Sequence, residues 1–189
     1  MRKIDIKNVV RTVVLATTVI VITSGCANQG FQMTSGSALL PQGMQQLVLR
    51  AKYPENLASK IPEKTKQTYE AAFLRKTSKP NVRVVGKAAD AKPETPYYYL
   101  NTEVTKYKPG SPFGRLMMTP VIAFGLWGSY VNVDFTICDP STDAPLGSGV
   151  IRKANLWGGT VGGSITSETQ LEACPEEIMD DLDSFMKKK

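Results

Sequence analysis

The sequence predicts an α+β fold, a small antiparallel sheet with two amphipathic helices packed on one face. Residues 97–107 and 129–138 alternate as expected for β-strands, and residues 146–156 return as a last strand that Gly147 and Gly149 interrupt. Two further segments, one after Pro62 and one at the C-terminus, carry apolar residues at helical spacing. After residue 25 the chain is long enough for one domain and a tether.

The N-terminus is built like a bacterial lipoprotein signal peptide. Residues 1–11 carry four basic side chains and one acidic side chain. Residues 12–23 are uncharged and too short to span a hydrocarbon core, which needs about 20 residues. The small residues Ser24 and Gly25 then precede Cys26. The pattern predicts cleavage after residue 25 and acylation of Cys26.

Acylation of Cys26 would fix the chain to a membrane, because each buried CH2 of an acyl chain contributes about 0.8 kcal/mol. Ala27 follows this cysteine, whereas an aspartate there would indicate retention in the inner membrane. We therefore expect a palmitate-type lipid anchor in the bacterial outer membrane, with the domain facing the periplasm. The alternatives are an ordinary secretory leader with an incidental cysteine and an uncleaved amphipathic segment.

The composition narrows the possible chemistry. The chain has no histidine, which excludes Ser-His-Asp and Cys-His catalysis and every histidine-ligated metal site. The formal net charge is +6, but four of the basic residues belong to the leader. The remaining positive charge is too small and too scattered to indicate nucleic-acid binding. No motif predicts a cofactor or a metal ion.

The first half of the chain is predicted to contain a tether, two strands and a helix. Residues 26–45 are rich in Gly, Ser, Gln and Asn, which predicts a flexible tether and a folded domain over residues 46–189. Residues 47–53 form an apolar strand that ends before a proline. Pro62 suits the first turn of the following helix, and residues 81–85 form a short strand.

The second half is predicted to contain three strands and a terminal helix. Residues 97–107 form one alternating strand, and an Asp-Pro turn joins residues 129–138 and 146–156 into a β-hairpin. Pro175 opens the helix, with acidic residues in its first turn and lysines at its end, as the helix dipole favours. Its apolar face, which we expect to cover the sheet, consists of Ile178, Leu182, Phe185 and Met186.

Two cysteines remain once Cys26 is acylated. Cys138 closes a predicted strand, and Cys174 lies where the terminal helix begins. An even pair in an oxidising compartment is typical of a disulfide. The bridge would close a loop of about 37 residues and stabilise the domain by about 3–4 kcal/mol. We therefore expect a Cys138–Cys174 disulfide, and the alternative is two separate thiols.

Three carboxylates surround the predicted hairpin, namely Asp134, Asp139 and Asp143. Clustered carboxylates can perform acid–base chemistry or bind metal ions. Asp139 and Asp143, however, lie in a turn that contains proline, where aspartate typically bonds to its own backbone. We interpret these aspartates as turn residues.

Residues 111–129 form an apolar segment in which Arg115 is the only charge. Its prolines and glycines argue against a membrane-spanning helix. Met, Phe and Trp are enriched at protein interfaces, so the segment is either a partly buried loop at the sheet edge or a surface for partner binding or self-association. The candidate interface residues are Phe113, Leu116, Met117, Met118, Val121, Ile122, Phe124, Leu126 and Trp127.

A succession of motifs runs through the domain and ends in the terminal helix. In order, they are residues 99–110, Arg115, residues 131–135, Asp139, Thr142 and Leu146. This pattern resembles a widespread group of Gram-negative lipoproteins that carry a domain of unknown function. The resemblance implies the fold and the envelope location, and it brings no catalytic residue and no substrate. Asp143 stands where the pattern has glycine, and the cysteine pair is not part of the pattern.

Together these features predict a non-enzymatic lipoprotein of the outer membrane whose periplasmic domain binds or assembles with other envelope proteins. The expected partners are the membrane, through the lipid, and an envelope protein or a second copy of the chain, but no nucleic acid. One alternative is a small-molecule or lipid-binding envelope lipoprotein. Another is a tethered peptidoglycan-active enzyme that uses carboxylates such as Asp134 and Asp139.

Overall fold

The structure, a computed structural model, describes residues 29–34, 45–75, 79–88, 97–109, 129–155 and 166–187. Within these ranges, the strands are β1 (Gln29–Met33), β2 (Gln45–Lys52), β3 (Val82–Lys87), β4 (Tyr98–Lys108), β5 (Ser129–Cys138) and β6 (Pro145–Asn155). The helices are α1 (Glu55–Ala58), α2 (Glu63–Arg75) and α3 (Ser167–Lys187). The α+β class predicted from the sequence is confirmed.

All the described strands belong to one sheet in the order β1-β6-β5-β4-β2-β3. Strand β5 is antiparallel to both β4 and β6, and β1 is antiparallel to β6. Strand β2 is parallel to both β3 and β4. The sheet is therefore larger than predicted and not wholly antiparallel. The parallel pairing follows from the helix between β2 and β3, because parallel neighbours need a long crossover connection.

The hairpin predicted over residues 129–156 is confirmed as the pair β5–β6, which starts at Ser129↔Asn155 and closes at Cys138↔Pro145. The side chains of β5 alternate between a buried set and a more exposed set. The buried set lies in one hydrophobic cluster with residues of both longer helices. We call this side of the sheet the core face. Members of the cluster include Tyr69, Phe73, Val131, Val133, Phe135, Ile137, Leu171, Ile178, Met179 and Leu182.

Strand β1 lies inside the segment that was predicted to be a tether. Its Phe31 ring is 5.0 Å from the Phe185 ring in an edge-to-face contact and 6.2 Å from the Phe135 ring. A Cβ atom at Gly147 would lie 2.3 Å from Cζ of Phe31 and 2.7 Å from the backbone oxygen of Gln32. The absence of a side chain at Gly147 therefore allows β1 to reach its place beside β6.

Helix α3 begins at Ser167, eight residues before Pro175. The prediction that Pro175 opens this helix was wrong, because Pro175 lies inside it. The start is fixed by reciprocal capping between two threonines. The backbone N–H of Thr169 donates to Oγ1 of Thr166 at 3.3 Å, and the backbone N–H of Thr166 donates to Oγ1 of Thr169 at 3.0 Å. These bonds satisfy polar groups at the helix start, as N-caps do.

The contact at Gly147 predicts a large difference between two glycine substitutions in the same sheet. Gly147→Ala should lower the free energy of unfolding by about 1–3 kcal/mol, because its methyl group would overpack Phe31. Gly86→Ala is the control, since a Cβ there meets nothing within 4 Å. Denaturant unfolding followed by circular dichroism measures both. Equal stability of the two variants would contradict the proposed packing of β1.

Candidate functional site

The strand residues that alternate with the core form a second face, which we call the polar face. Register places Arg50 opposite Asn101 and Lys52 opposite Glu103. On the other side of β4, Glu103 is opposite Asp134. These side chains border a cavity of about 500 Å³, whose lining also includes Thr102, Thr136 and Asp143. The polar face thus carries both signs of charge near the middle of the sheet.

Arg50 contacts an aromatic ring and a carboxylate on the polar face. Its guanidinium carbon lies 3.2 Å from the centroid of the Tyr99 ring, and Nη1 donates to Oδ1 of Asp143 at 2.6 Å. Cation–π contacts and exposed ion pairs each contribute about 0.5–1 kcal/mol or less. Asp143 adopts a positive φ of 57°, which explains why the resembling pattern has glycine at this position. The pair links β2 to the β5–β6 turn.

The turn interpretation of Asp139 is confirmed. Its Oδ1 accepts hydrogen bonds from the backbone N–H groups of Ser141 at 2.8 Å and Thr142 at 3.0 Å. These bonds, that of Thr142 first, lower the pKa of the Asp139 carboxyl below its ordinary value. The carboxylate is therefore committed to the turn at neutral pH.

The other two aspartates have separate partners. Oδ1 of Asp134 accepts from Oγ1 of Thr105 at 3.2 Å, and Asp143 pairs with Arg50. Across the described ranges, no group of three or more His, Cys, Asp or Glu side chains is arranged to hold a metal ion. The carboxylates of the hairpin thus act one by one as structural acceptors in this arrangement.

A basic region lies where β4 and β6 end and β5 begins. Across these strands, Asn132 lies between Lys106 and Arg152 in the strand register. Tyr130 lies between Lys108 and Ala154. We call the region formed by Lys106, Lys108 and Arg152 the basic end. Lys106 and Arg152 border a cavity of about 390 Å³, whose lining also includes Tyr130, Asn132, Lys153 and Ala154.

Aromatic and charged contacts define the surroundings of the basic end. The Tyr130 side chain is one of the exposed large hydrophobic groups, at 39% exposure, and Nζ of Lys108 lies 5.9 Å from its ring centroid. Lys153 projects to the core side and pairs with Glu177 of α3. Sequence reasoning missed this region, because Arg152 is far from Lys106 and Lys108 in the chain and only the strand register brings it beside them.

The structure leaves Cys138 and Cys174 as free, buried thiols, which corrects the predicted disulfide. Strand alternation places Cys138 on the polar face, next to Asn101, whose Nδ2 donates to its sulfur at 3.2 Å. Cys174 belongs to the core cluster and donates to the carbonyl oxygen of Gln170 at 3.2 Å. The two sulfurs are on different sides of the sheet, so a bridge would require the backbone to move.

Both thiols are expected to be chemically inert in the folded protein. Burial raises the pKa of Cys174 to about 12 and also raises the pKa of Cys138. At pH 8, a thiol with a pKa of about 12 is ionised in about one molecule in ten thousand. The thiolate is the reactive form, so such a thiol reacts very slowly.

Iodoacetamide should therefore leave both cysteines unmodified at pH 8 until a denaturant is added, when both should react. Peptide mass spectrometry of the alkylated protein measures this. Ser141→Cys provides an exposed thiol as the positive control, because Ser141 lies in the exposed turn. A Cys138–Cys174 cross-linked peptide in a non-reduced digest would contradict the free-thiol arrangement.

Several predicted site residues lie outside the described residues. These are the lipid-attachment residue Cys26 and the candidate interface residues Phe113, Leu116, Met117, Met118, Val121, Ile122, Phe124, Leu126 and Trp127. Among the helices that the structure describes, none has the length and apolar character needed to cross a membrane.

The chain matches no protein-family model and no curated protein. It is similar to solved structures at low sequence identity. One is the PelC dodecamer from Paraburkholderia phytofirmans, at 15% identity over 81% of this chain and 96% of PelC, with a TM-score of 0.46.

Two further similar structures are a protein of the family DUF330 and a lipoprotein. Protein XCC0632 from Xanthomonas campestris, of the family DUF330, is 10% identical over 82% of this chain and 88% of its own, with a TM-score of 0.43. Lipoprotein GNA1162 from Neisseria meningitidis is 12% identical over 76% of this chain and 99% of its own, with a TM-score of 0.38. The structures that this chain resembles thus include a bacterial lipoprotein.

Proposed function

We propose that this chain is a lipoprotein anchored in the outer membrane, whose periplasmic domain binds or assembles with other envelope proteins and catalyses no reaction. The observation that carries the proposal is the leader that ends at Cys26, with its basic, apolar and small residues in the order that signal peptides require. The fold supports it, since β1 starts at Gln29, so the folded domain begins directly after the proposed cleavage site.

The geometry of the polar face supports a non-catalytic role. Acid–base catalysis needs groups that converge on one reacting position, and the candidate carboxylates instead bond to separate neighbours. Asp139 accepts from its own turn, Asp143 pairs with Arg50, and Asp134 accepts from Thr105. A surface with exposed, paired charges of both signs suits recognition of another protein.

The arrangement of the core supports a specific surface for that recognition. We infer that α2 and α3 together cover the core face, because both contribute buried side chains to the same hydrophobic cluster. Of the described helices, both longer ones are then assigned to the core face, and we propose that partners bind the polar face. The apolar segment 111–129 connects β4 to β5, the strands that carry the centre of this face, and supplies the proposed apolar contacts.

The lipid anchor predicts the mass and location of the mature protein. Protein extracted from membranes should lack residues 1–25 and carry acyl chains on Cys26, as measured by intact mass spectrometry. Cys26→Ala should retain its leader and be absent from the outer-membrane fraction. Cys138→Ala, which changes a buried cysteine in the domain, is the control and should be acylated normally. A mature protein without acyl mass would refute the anchor.

The interface proposal predicts a loss of partner without a loss of fold. The double variant Phe124→Ser, Trp127→Ser should lose at least about tenfold in partner recovery by in-cell crosslinking, because apolar anchors dominate binding energy at interfaces. Leu74→Ser is the control, since Leu74 is a 43% exposed apolar residue on α2, remote in sequence from the segment. Circular dichroism should be unchanged in both variants, and unchanged crosslinking of the double variant would contradict the proposal.

A further inference from the structure

We propose that the basic end of the sheet rests on the anionic lipid headgroups of the membrane that holds Cys26. The inference rests on the proposed lipid anchor and adds an orientation to it. It makes Lys106, Lys108 and Arg152 a membrane-contacting surface, with the β5–β6 turn pointing away from the bilayer.

The first step is the length of chain between the anchor and the sheet. Cys26 and Gln29 are separated by three peptide steps, and consecutive Cα atoms are about 3.8 Å apart. The first residue of β1 therefore lies within about 11 Å of the acylated residue. Such a short link allows only one end of the sheet to reach the membrane surface.

The second step is the direction of β1. Gln29 pairs with Val150 and Met33 pairs with Gly147, so the first residue of β1 lies toward the end of β6 that follows Val150. That end contains Arg152. Because β6 is antiparallel to β5 and β5 to β4, the same end of the sheet contains the last residues of β4, including Lys106 and Lys108. The anchor therefore enters at the basic end.

The third step is the position of the opposite end. Strand β5 has ten residues, and strands rise about 3.3 Å per residue, so the β5–β6 turn is about 30 Å from the start of β5. Asp139 and Asp143, the acidic residues of that turn, are thus held far from the membrane. The β5–β6 turn contributes acidic groups at its end of the sheet, whereas Lys106, Lys108 and Arg152 lie near the anchor.

The fourth step is the chemistry of the basic end. Lys and Arg side chains are attracted to anionic headgroups within roughly a Debye length, about 8 Å at physiological salt. The short link to Cys26 brings the basic end into that range. The exposed Tyr130 between the basic side chains is amphipathic, and such aromatic groups favour the headgroup region. Two acidic groups of the adjoining helix lie near this end: Glu177 is paired with Lys153, and Glu168 lies near Tyr107, next to Ser167, whose hydroxyl donates to the carbonyl oxygen of Lys108.

The experiment measures orientation in the complete acylated protein. The protein is reconstituted into vesicles of equal parts phosphatidylglycerol and phosphatidylcholine, with a nitroxide label at Ala154→Cys or at Ser141→Cys. Both positions are exposed, the first at the basic end and the second in the turn. The native Cys138 and Cys174 are buried, and the protein without an introduced cysteine measures their background labelling.

The readout is the collision rate of the label with oxygen relative to that with a water-soluble nickel complex. The oxygen-to-nickel ratio should be several-fold higher at residue 154 than at residue 141. The difference should shrink in pure phosphatidylcholine vesicles and in the double variant Lys106→Glu, Arg152→Glu. The control double variant is Arg75→Glu, Arg83→Glu, which changes two exposed arginines near the start of β3 at the opposite end of the sheet.

Each outcome decides between the two proposals. Equal ratios at residues 154 and 141 in an acylated protein would overturn the membrane contact and leave the lipid anchor intact. A high ratio at residue 154 that persists in the Lys106→Glu, Arg152→Glu variant would overturn the role of the basic end. A protein without acyl chains on Cys26 would overturn the anchor and the orientation together.

Discussion

The contact between the Phe31 ring and the bare backbone at Gly147 joins the N-terminal strand to the sheet. Strand β1 has five residues and lies at the edge of the sheet, where of the described strands it pairs only with β6. Phe31 anchors this strand because its ring reaches both Phe135 of β5 and Phe185 of α3. Phe31 therefore fixes β1 to the core. Because β1 begins three residues after Cys26, the proposed lipid-attachment residue lies close to a strand that is held in place relative to the whole sheet.

The strand alternation has separate consequences for the two faces. The core face is buried against helical side chains, so its residues are apolar and its register cannot shift without exposing them. The polar face has no such constraint, and it carries Arg50, Glu103 and Asp134 in its middle. A one-residue slip would exchange the two faces, so the packing that stabilises the fold also sets the positions of the charges available for recognition.

The parts of the fold that could be predicted are those with a recognisable residue pattern in a short stretch of sequence. Strand β5 alternates strictly and is followed by an Asp-Pro turn, so the β5–β6 hairpin and the role of Asp139 could be predicted. Strand β1 could not, because one buried phenylalanine in five residues is not a pattern. The predicted disulfide was wrong, because the number of cysteines does not show on which face of the sheet each one lies. Cys138 directly follows the core-facing Ile137 and therefore lies on the polar face. The basic end depends on register between distant strands, which no local signal gives.

The proposed orientation constrains where a partner can lie. Segment 111–129 leaves the described chain after β4 and returns at Ser129, and both points belong to the end of the sheet that carries the basic residues. A partner that binds this segment would therefore have to approach close to the membrane surface. The cavity beside Arg50 and Asp143 lies nearer the distant turn, and in the proposed orientation it would face away from the membrane. A partner that contacts both the segment and the cavity would then have to extend along the polar face from the membrane surface toward the β5–β6 turn.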